Sequence, residues 1–353
     1  MEKVNQQLIA EQLRLSRATV SRCFTNHPGI NPVTRARVFA LASKLGYTHL
    51  EKRVGPDGAA APRRTEVGVF VCVELPNFNH TGYGNPGQEL LNGLSELARA
   101  VDARLDLHFV QPRDLHLDGP SYARIFSRRR HWDGVILIYP FPRTVVEELL
   151  LRYPCVSLVE QQGEFSLNSV DVDHYRGISK LVDHLRDQGH QKIGFFTWRY
   201  PVEAMWSLRR FSAYVGKLTS CGLAVREEDV VNASPRDALS VPEAHEHVLK
   251  RLKAGVTAWV CAADHQAYDL VRFFKARGIK VPQQVSVTGF DGIFGPPDLP
   301  ALTTIQIPFH HIGVTGGKRL MDLLQKRFDP VQHILLDCEL RSGATVGKAP
   351  ASV

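Results

Sequence analysis

The sequence lacks the features that would place the protein in or beyond a membrane. No apolar run approaches the roughly 18 residues that a membrane-spanning helix needs. The chain does not open with a basic segment followed by an apolar one, as a secretory signal does, and it carries no lipidation motif. We therefore expect a cytoplasmic protein with no membrane partner.

The sequence also lacks the residue patterns of a metal site. No Cys-x-x-Cys pair or Cys/His spacing suggests zinc, and "HEH" at 245–247 falls on a predicted helix, where positions i and i+2 do not share a face. We expect buried free thiols and no cofactor. The cysteines are Cys23, Cys72, Cys155, Cys221, Cys261 and Cys338.

Catalytic patterns are missing as well. No Ser/His/Asp order or supported carboxylate pair is present, so the sequence does not indicate an enzyme. "GYGNPG" at 82–87 has the Gly-x-Gly-x-x-Gly spacing of a dinucleotide loop. It begins several residues after the preceding predicted strand, however, and Pro86 removes an N–H that a phosphate would need.

Acidic residues are scarce at the amino end alone. Residues 1–64 hold 11 Lys/Arg against 4 Asp/Glu, whereas the remainder holds 32 of each sign. A basic head on a neutral body is expected where one module meets a polyanion and the other has separate work. Since nothing indicates a membrane, nucleic acid is the expected polyanion. The chain has 353 residues, of which 44% are hydrophobic, so two or three folded units are expected.

The basic head is predicted to contain three helices. Asn5 can cap the first helix, Ser16 can cap a second that runs to about Thr25, and Asn31-Pro32 opens a third at about 32–45. The third helix is predicted to turn five apolar residues inward, namely Val33, Val38, Leu41, Ala42 and Leu45.

The second helix separates two kinds of side chain. Val20, Cys23 and Phe24 fall on one side at the helical period, and Arg17, Ala18, Ser21 and Arg22 lie on or beside the other. Arg22 can bind guanine, the Ala18 methyl suits thymine, and five short polar residues suit phosphates. Those five are Ser16, Thr19, Ser21, Asn26 and Thr34. A three-helix protein-docking module is the alternative.

The head resembles the DNA-binding domain of LacI/GalR regulators. The stretch "IAEQLRLSRATVSRCFTNHPGINPVTRARVFALASKLGY" contains the family's Ser-x-x-Thr-Val-Ser-Arg run, the Thr34-Arg35 pair and the closing Gly46-Tyr47. The resemblance implies that Arg17, Ala18 and Arg22 read bases. The family's hinge helix is expected to end early here, because "THLEKRVGPDGAAAPRR" contains Gly55-Pro56. We therefore predict weak or absent leucine-type kinking of the DNA.

From about residue 66 the chain alternates apolar runs with amphipathic segments. Predicted strands include "EVGVFVCV", "DGVILIY" and "QVSVTGF", and predicted helices cover 86–100, 174–188, 204–220, 241–253 and 265–277. This alternation predicts two parallel-sheet α/β lobes with a cleft between them. The resemblance continues through "HLRDQGHQKI", "GIKVPQQVSVTGFDG" and "LPALTTI". It implies a three-helix helix-turn-helix head on a body like that of periplasmic binding proteins.

The expected domains follow from these patterns. They are the DNA-binding head 1–49, a linker 50–65, an effector-binding and dimerisation body 66–345 and a tail 346–353. Within the body, lobe 1 is expected at about 66–167 and 308–330, and lobe 2 at about 168–307 and 331–345.

The effector is expected at the carboxyl ends of strands. Asp291 follows "VSVTGF" and is the residue that contacts effector in the family. Asp264 and Glu160 also follow apolar runs, and Trp206 or Phe309 can stack on a sugar ring. Ser207 stands where the family often has an arginine before a Gly-Phe pair, with Arg209 and Arg210 nearby, and Ala263 stands where the family has Asn. Of these residues, we predict that Ser207 and Arg209 contact the effector.

We therefore predict a transcriptional repressor that binds a pseudo-palindromic double-stranded operator as a homodimer and is controlled by a small-molecule effector, a sugar. A sugar-binding solute receptor and a sugar-acting enzyme with an accessory DNA-binding head are the alternatives.

Overall fold

The computed structural model describes residues 5–24, 30–45, 64–74, 85–127, 131–162, 165–200, 202, 204–233, 238–325 and 330–350. Some predictions fall outside these ranges: Asn26, the Gly46-Tyr47 pair, most of the linker 50–65 and the last three residues of the tail. In the described part of the chain, no helix is both long and apolar enough to cross a bilayer.

The described residues of the head form three helices, and their capping residues are those that the sequence predicts. The helices are α1 Gln6–Leu13, α2 Arg17–Phe24 and α3 Pro32–Lys44. The Leu8 amide donates to Asn5 Oδ1 over 2.9 Å, and the Thr19 amide donates to Ser16 Oγ over 3.0 Å. The Asn31 side chain accepts from the Val33 amide over 2.8 Å. Each cap satisfies an amide that the first helical turn leaves without a backbone acceptor.

The head has a small apolar core to which each helix contributes. Its buried members are Ile9, Ala10, Val20, Cys23, Phe24, Val38 and Ala42, with Leu41 and Leu45 partly buried against them. The prediction that Val33 points inward is wrong, because 67% of that residue is exposed. Counting back from Val38 by three or four residues reaches Arg35 and Thr34, so the helical period turns Val33 away from the core.

In the described residues, the body contains two six-stranded sheets. Its strands are β1 Thr65–Cys72, β2 Ala103–Val110, β3 Gly134–Ile138, β4 Cys155–Leu158, β5 Asn168–Val172, β6 Ile193–Phe196, β7 Val230–Val231, β8 Ala258–Cys261, β9 Ser286–Asp291, β10 Thr303–Gln306, β11 His333–Leu336 and β12 Glu339–Arg341. Its helices are α4 Pro86–Ala100, α5 Pro120–Phe126, α6 Arg143–Leu150, α7 His174–Asp187, α8 Met205–Ser220, α9 Val241–Lys253, α10 Asp264–Ala276 and α11 Phe309–Leu324.

The strand orders are those of crossed-over parallel sheets. One sheet runs β11-β5-β4-β3-β1-β2 and the other β12-β10-β9-β8-β6-β7. β1 pairs in parallel with β2 and β3, so Val69 lies opposite Leu107 and Ile136. β12 pairs antiparallel with β10 at the edge of the second sheet. Every residue of β3 and β8 is buried, which explains their uninterrupted apolar sequences.

The body divides into two compact units, each with its own sheet. The first includes Leu91–Val170 and His310–Ile334, and the second includes Asp171–Phe309 and Leu335–Val353. In the second unit α7 packs closely on β9, since a Cβ at Gly177 would lie 2.6 Å from the Phe290 ring. This close contact brings the start of α7 to the carboxyl end of β9, where the predicted effector residue Asp291 lies.

The thiols are free and largely buried, as the sequence predicts. Five of the six cysteines are buried, and Cys221, just after α8, is partly exposed.

Candidate DNA-binding surface and candidate effector site

Helix α2 divides its side chains as its sequence predicts. Val20 and Cys23 are fully buried in the core of the head. Arg17, Ala18 and Arg22 are exposed on the same helix. Because Arg17 and Ala18 lie one turn before Ser21 and Arg22, these side chains form one continuous surface. That surface carries two guanidinium groups and a methyl group, the groups that read guanine and thymine in a major groove.

The short polar residues border this surface. Ser16 is exposed, and Thr19 and Ser21 are partly buried along α2, while Thr34 is partly buried at the start of α3. The Ser16 and Thr19 hydroxyls are 2.8 Å apart, and Ser16 also caps α2. The amides of that first turn and these hydroxyls are suitable donors for a phosphate group.

The second unit brings Asp291 and Asp264 together at the carboxyl ends of neighbouring strands. Asp291 ends β9 with a φ of 148°, and such backbone strain in a residue other than glycine is common at functional sites. Asp264 opens α10 just after β8 and is completely buried. The Asp264 amide donates to Asp291 Oδ2 over 3.4 Å.

The carboxylate of Asp264 has hydrogen-bond partners within the second unit. It accepts from the Ile293 amide over 2.8 Å and from the Thr304 hydroxyl. Burial raises the pKa of Asp264, and the charge of Asp291 raises that pKa further. Burial also raises the pKa of Asp291, although Arg210 opposes this change. The pair therefore retains a proton at pH values where two exposed aspartates would both be ionised.

Arg210 is the cation of this site, and the sequence-based choice of Ser207 and Arg209 did not select it. Its Nη1 lies 3.2 Å from Asp291 Oδ1, and it also donates to the Ala262 carbonyl. Its guanidinium carbon lies 3.9 Å from the centre of the Phe290 ring and 4.6 Å from that of Trp206. Arg210 is therefore oriented by two aromatic faces and two acceptors.

The spacing of buried residues along α8 identifies Arg210 as a residue of the buried face. Arg210 shares the buried face of α8 with Ala213, Tyr214 and Leu218, which follow it by three, four and eight residues. Arg209 is one position away and only partly buried.

Ser207 and Trp206 belong to a polar and aromatic network beside this site. The Ser207 and Thr197 hydroxyls are 2.9 Å apart, and the rings of Trp206 and Tyr200 are 5.3 Å apart. Gln266 Nε2 donates to the Tyr200 hydroxyl over 2.6 Å. Trp206 is thus both a partner of Arg210 and a candidate aromatic face on which the ring of a ligand can stack.

The two remaining predicted effector residues, Glu160 and Phe309, are buried. Glu160 is almost fully buried in the first unit and follows Val159, whose φ of 56° is strained for a β-branched residue. Phe309 is buried at the start of α11. The Ile307 amide, two positions before Phe309, donates to the Asp291 carbonyl over 3.2 Å. The effector roles of Glu160 and Phe309 stay predictions.

Comparison with known proteins finds relatives along nearly the whole chain. The model of the periplasmic binding protein-like domain family matches residues 182–346. The chain is 26% identical to the HTH-type transcriptional regulator Rv3575c of Mycobacterium tuberculosis, over 96% of each chain. It is 28% identical to the HTH-type transcriptional repressor CytR of Escherichia coli, over 94% of this chain and 93% of the relative. Over nearly its whole length, the chain is therefore similar to HTH-type transcriptional regulators.

Solved structures of similar fold extend over nearly the whole chain. A CelR–cellobiose complex matches with a TM-score of 0.64 and 20% identity, over 97% of this chain and 100% of that one. A lac repressor dimer bound to operator and the anti-inducer ONPF matches with a TM-score of 0.61 and 21% identity, over 98% and 100%. These similarities show that the chain has the fold of an amino-terminal head on a two-lobed α/β body.

Proposed function

We propose that this protein is a regulator of the LacI/GalR kind, a sequence-specific DNA-binding repressor whose operator affinity is controlled by a small molecule. The observation that supports this proposal is the division of side chains on α2. The helix buries Val20 and Cys23, and it exposes Arg17, Ala18 and Arg22. A helix with this division can enter the major groove while the rest of the head supports it. The relatives are named as transcription regulators, which supports a function other than catalysis.

The head is too small to bind tightly alone. A recognition helix reads a few base pairs, and two heads on a pseudo-palindrome supply the affinity and the spacing that one lacks. We therefore propose that the protein acts as a homodimer. The lac repressor of similar fold is a dimer bound to operator, in agreement with this proposal.

Sequence-specific DNA binding can be tested by selection from a random duplex library. Fluorescence anisotropy at several salt concentrations then measures the affinity for the selected site. Arg22→Ala is expected to weaken binding to the selected site by about 5- to 150-fold, the equivalent of 1–3 kcal/mol for a bidentate base contact. Arg99→Ala removes the same charge from the exposed last turn of α4 and should leave the affinity unchanged. If the library yields no enriched sequence, or if both variants behave alike, the proposal fails.

We also propose that Asp291 and Arg210 bind the effector and that this effector is a sugar. Asp291 supplies acceptors for hydroxyl groups, Arg210 supplies fixed donors, and Trp206 supplies an aromatic face, which together match a sugar ring. The CelR structure of similar fold contains cellobiose, in agreement with this choice. Effector binding would then change operator affinity by favouring one of two conformations.

A thermal-shift screen of ribose, glucose, sucrose and cellobiose, followed by calorimetry, tests the effector site. A sugar at 100 times its Kd should add about 2.7 kcal/mol to the free energy of unfolding. Asp291→Asn should weaken its binding at least tenfold. Asp298→Asn is the matched control, because Asp298 is exposed and pairs only loosely with Lys275 at 3.7 Å. Unchanged affinity in Asp291→Asn would remove Asp291 from the site, and consumption of any sugar would indicate an enzyme instead.

A further inference from the structure

Behind Arg210 lies a chain of two buried side chains that neither the sequence patterns nor the family resemblance selected. Asp171, near the end of β5, lies with Oδ2 3.0 Å from Nε2 of His174, at the start of α7. Arg210 Nε donates to the other ring nitrogen of His174, Nδ1, over 3.2 Å. The exposed fractions of Asp171, His174 and Arg210 are 1%, 4% and 4%. Charged residues are rarely buried to this extent unless they are paired.

The donors and acceptors fix where the His174 proton lies. The Nε–H of an arginine can only donate, so His174 Nδ1 must be unprotonated in order to accept it. A neutral imidazole then carries its proton on Nε2, which donates to Asp171. A doubly protonated ring would place an N–H against the Arg210 N–H. The arrangement therefore requires one tautomer, and Asp171 is the group that selects it.

The surroundings of His174 favour the neutral ring. Burial lowers the pKa of His174; the charge of Asp171 acts in the opposite direction, and Arg210 and Arg209 lower the pKa again. In the described part of the chain, these are the charged groups that face His174: Asp171 from β5 and two arginines from α8. The Phe290 ring of β9, 5.9 Å away, packs against it without charge.

The bond to Nε controls how Arg210 faces its ligand. Arg210 Nη1 reaches Asp291 and the Ala262 carbonyl, both at one end of the guanidinium. The contact from Nε to His174 fixes the rotation of the plane about the side chain, so that Nη1 meets Asp291. We propose that Asp171 and His174 are positioning residues of the effector site, which hold the Arg210 guanidinium towards Asp291. This inference rests on the proposed effector role of Asp291 and Arg210.

Two substitutions of His174 separate this role from simple packing. In His174→Asn the amide oxygen can occupy the position of Nδ1 and accept from Arg210. In His174→Gln the longer side chain reaches the position of Nε2 and binds Asp171 instead. Asp171→Asn keeps the volume but removes the carboxylate that selects the tautomer, as in a catalytic triad whose aspartate becomes asparagine.

The first measurement needs no ligand. Nitrogen-15 NMR of side chains in the intact protein should show His174 protonated on Nε2 only at pH 7.5. Solvent exchange of the Arg210 Nε–H should be slow in the wild type, and at least tenfold faster in Asp171→Asn and His174→Gln. His174→Asn should restore slow exchange. A His174 that carries a proton on Nδ1, or exchange that is equal in all variants, would overturn the inference.

The second measurement uses whichever of the four sugars the thermal-shift screen selects. Asp171→Asn and His174→Gln should weaken its binding at least tenfold, with His174→Asn affected less and Asp298→Asn unchanged. Wild-type affinity in both weakened variants would overturn the positioning role. If Arg210→Ala itself binds the sugar normally, or if none of the four sugars binds, the proposed sugar site fails. The NMR result then decides alone whether Asp171 and His174 position Arg210.

Discussion

The ion pair between Arg210 and Asp291 allows a quantitative test of the candidate effector site. The two side chains are 5% and 14% exposed, and their closest polar atoms lie 3.2 Å apart. Replacing Arg210 by Met keeps most of the side-chain volume but leaves Asp291 buried without its cation. Breaking a buried pair from one side costs roughly 3–5 kcal/mol. We expect a loss of that order in the free energy of unfolding of the second unit at pH 7.5.

A double-mutant cycle isolates the interaction from the loss of packing. Asp291→Asn alone removes the negative charge and leaves Arg210 without its ion pair. The double variant Arg210→Met/Asp291→Asn buries neither charge, so it should be more stable than the sum of the single losses predicts. We expect a coupling energy of about 2 kcal/mol or more, since coupled neighbours give roughly 0.5–3 kcal/mol.

Urea denaturation followed by tryptophan fluorescence measures the second unit selectively. Of the four tryptophans, only Trp132 lies in the first unit. In a Trp132→Phe background the fluorescence therefore reports the unit that holds Arg210. The surface pair Lys275–Asp298 lies in the same unit, with side chains 59% and 62% exposed, and should give a coupling energy of about 0–1 kcal/mol. If the Arg210–Asp291 cycle is additive to within about 0.5 kcal/mol, Arg210 does not compensate the Asp291 charge.

Two further predictions concern the neighbouring carboxylate and the head. Because burial and Asp291 raise the pKa of Asp264, the folded state keeps a proton that the unfolded state releases, and this contribution to stability is lost as pH rises from about 4 towards neutrality. Asp264→Asn should therefore gain stability relative to the wild type over that pH range, by about 1.4 kcal/mol per unit of pKa shift in urea titrations; a pH-independent difference would contradict the prediction. Ser16→Ala removes the acceptor of the Thr19 amide and should cost about 1 kcal/mol in thermal denaturation of the head, whereas Ser16→Asp should retain the cap.

The periodic spacing of apolar residues predicts much of the fold. The elements that it does not predict have a common cause. Helices 86–100 and 241–253 have the predicted bounds, because their apolar positions repeat at the helical period. Strand β5 was missed, since "NSVDV" contains three polar residues although all five are buried. Asn168 accepts from Arg319, and the Ser169 hydroxyl lies 2.8 Å from His333 Nδ1. These partners are more than 150 positions away along the chain, and no local pattern connects them.

The candidate effector site likewise contains residues that the local sequence predicts and residues that it does not. Asp264 and Asp291 are predictable, because each follows an apolar strand and the carboxyl ends of parallel strands collect ligands. His174 is not, since its importance depends on contacts with Asp171 and Arg210 that only the folded chain creates. The local sequence predicts which residues lie at the end of a strand. It does not predict which distant side chains those residues contact.

The two arginines on α8 show what helical periodicity alone can predict about burial. Arg209 and Arg210 differ by one position, which rotates the side chain by about 100° around the helix. The rotation places Arg210 with Tyr214 and Leu218 on the buried face, and Arg209 beside it. A buried arginine is costly unless acceptors and aromatic faces replace its water. A charged residue on the apolar stripe of a helix therefore requires partners in the fold, and here those partners are Asp291 and His174.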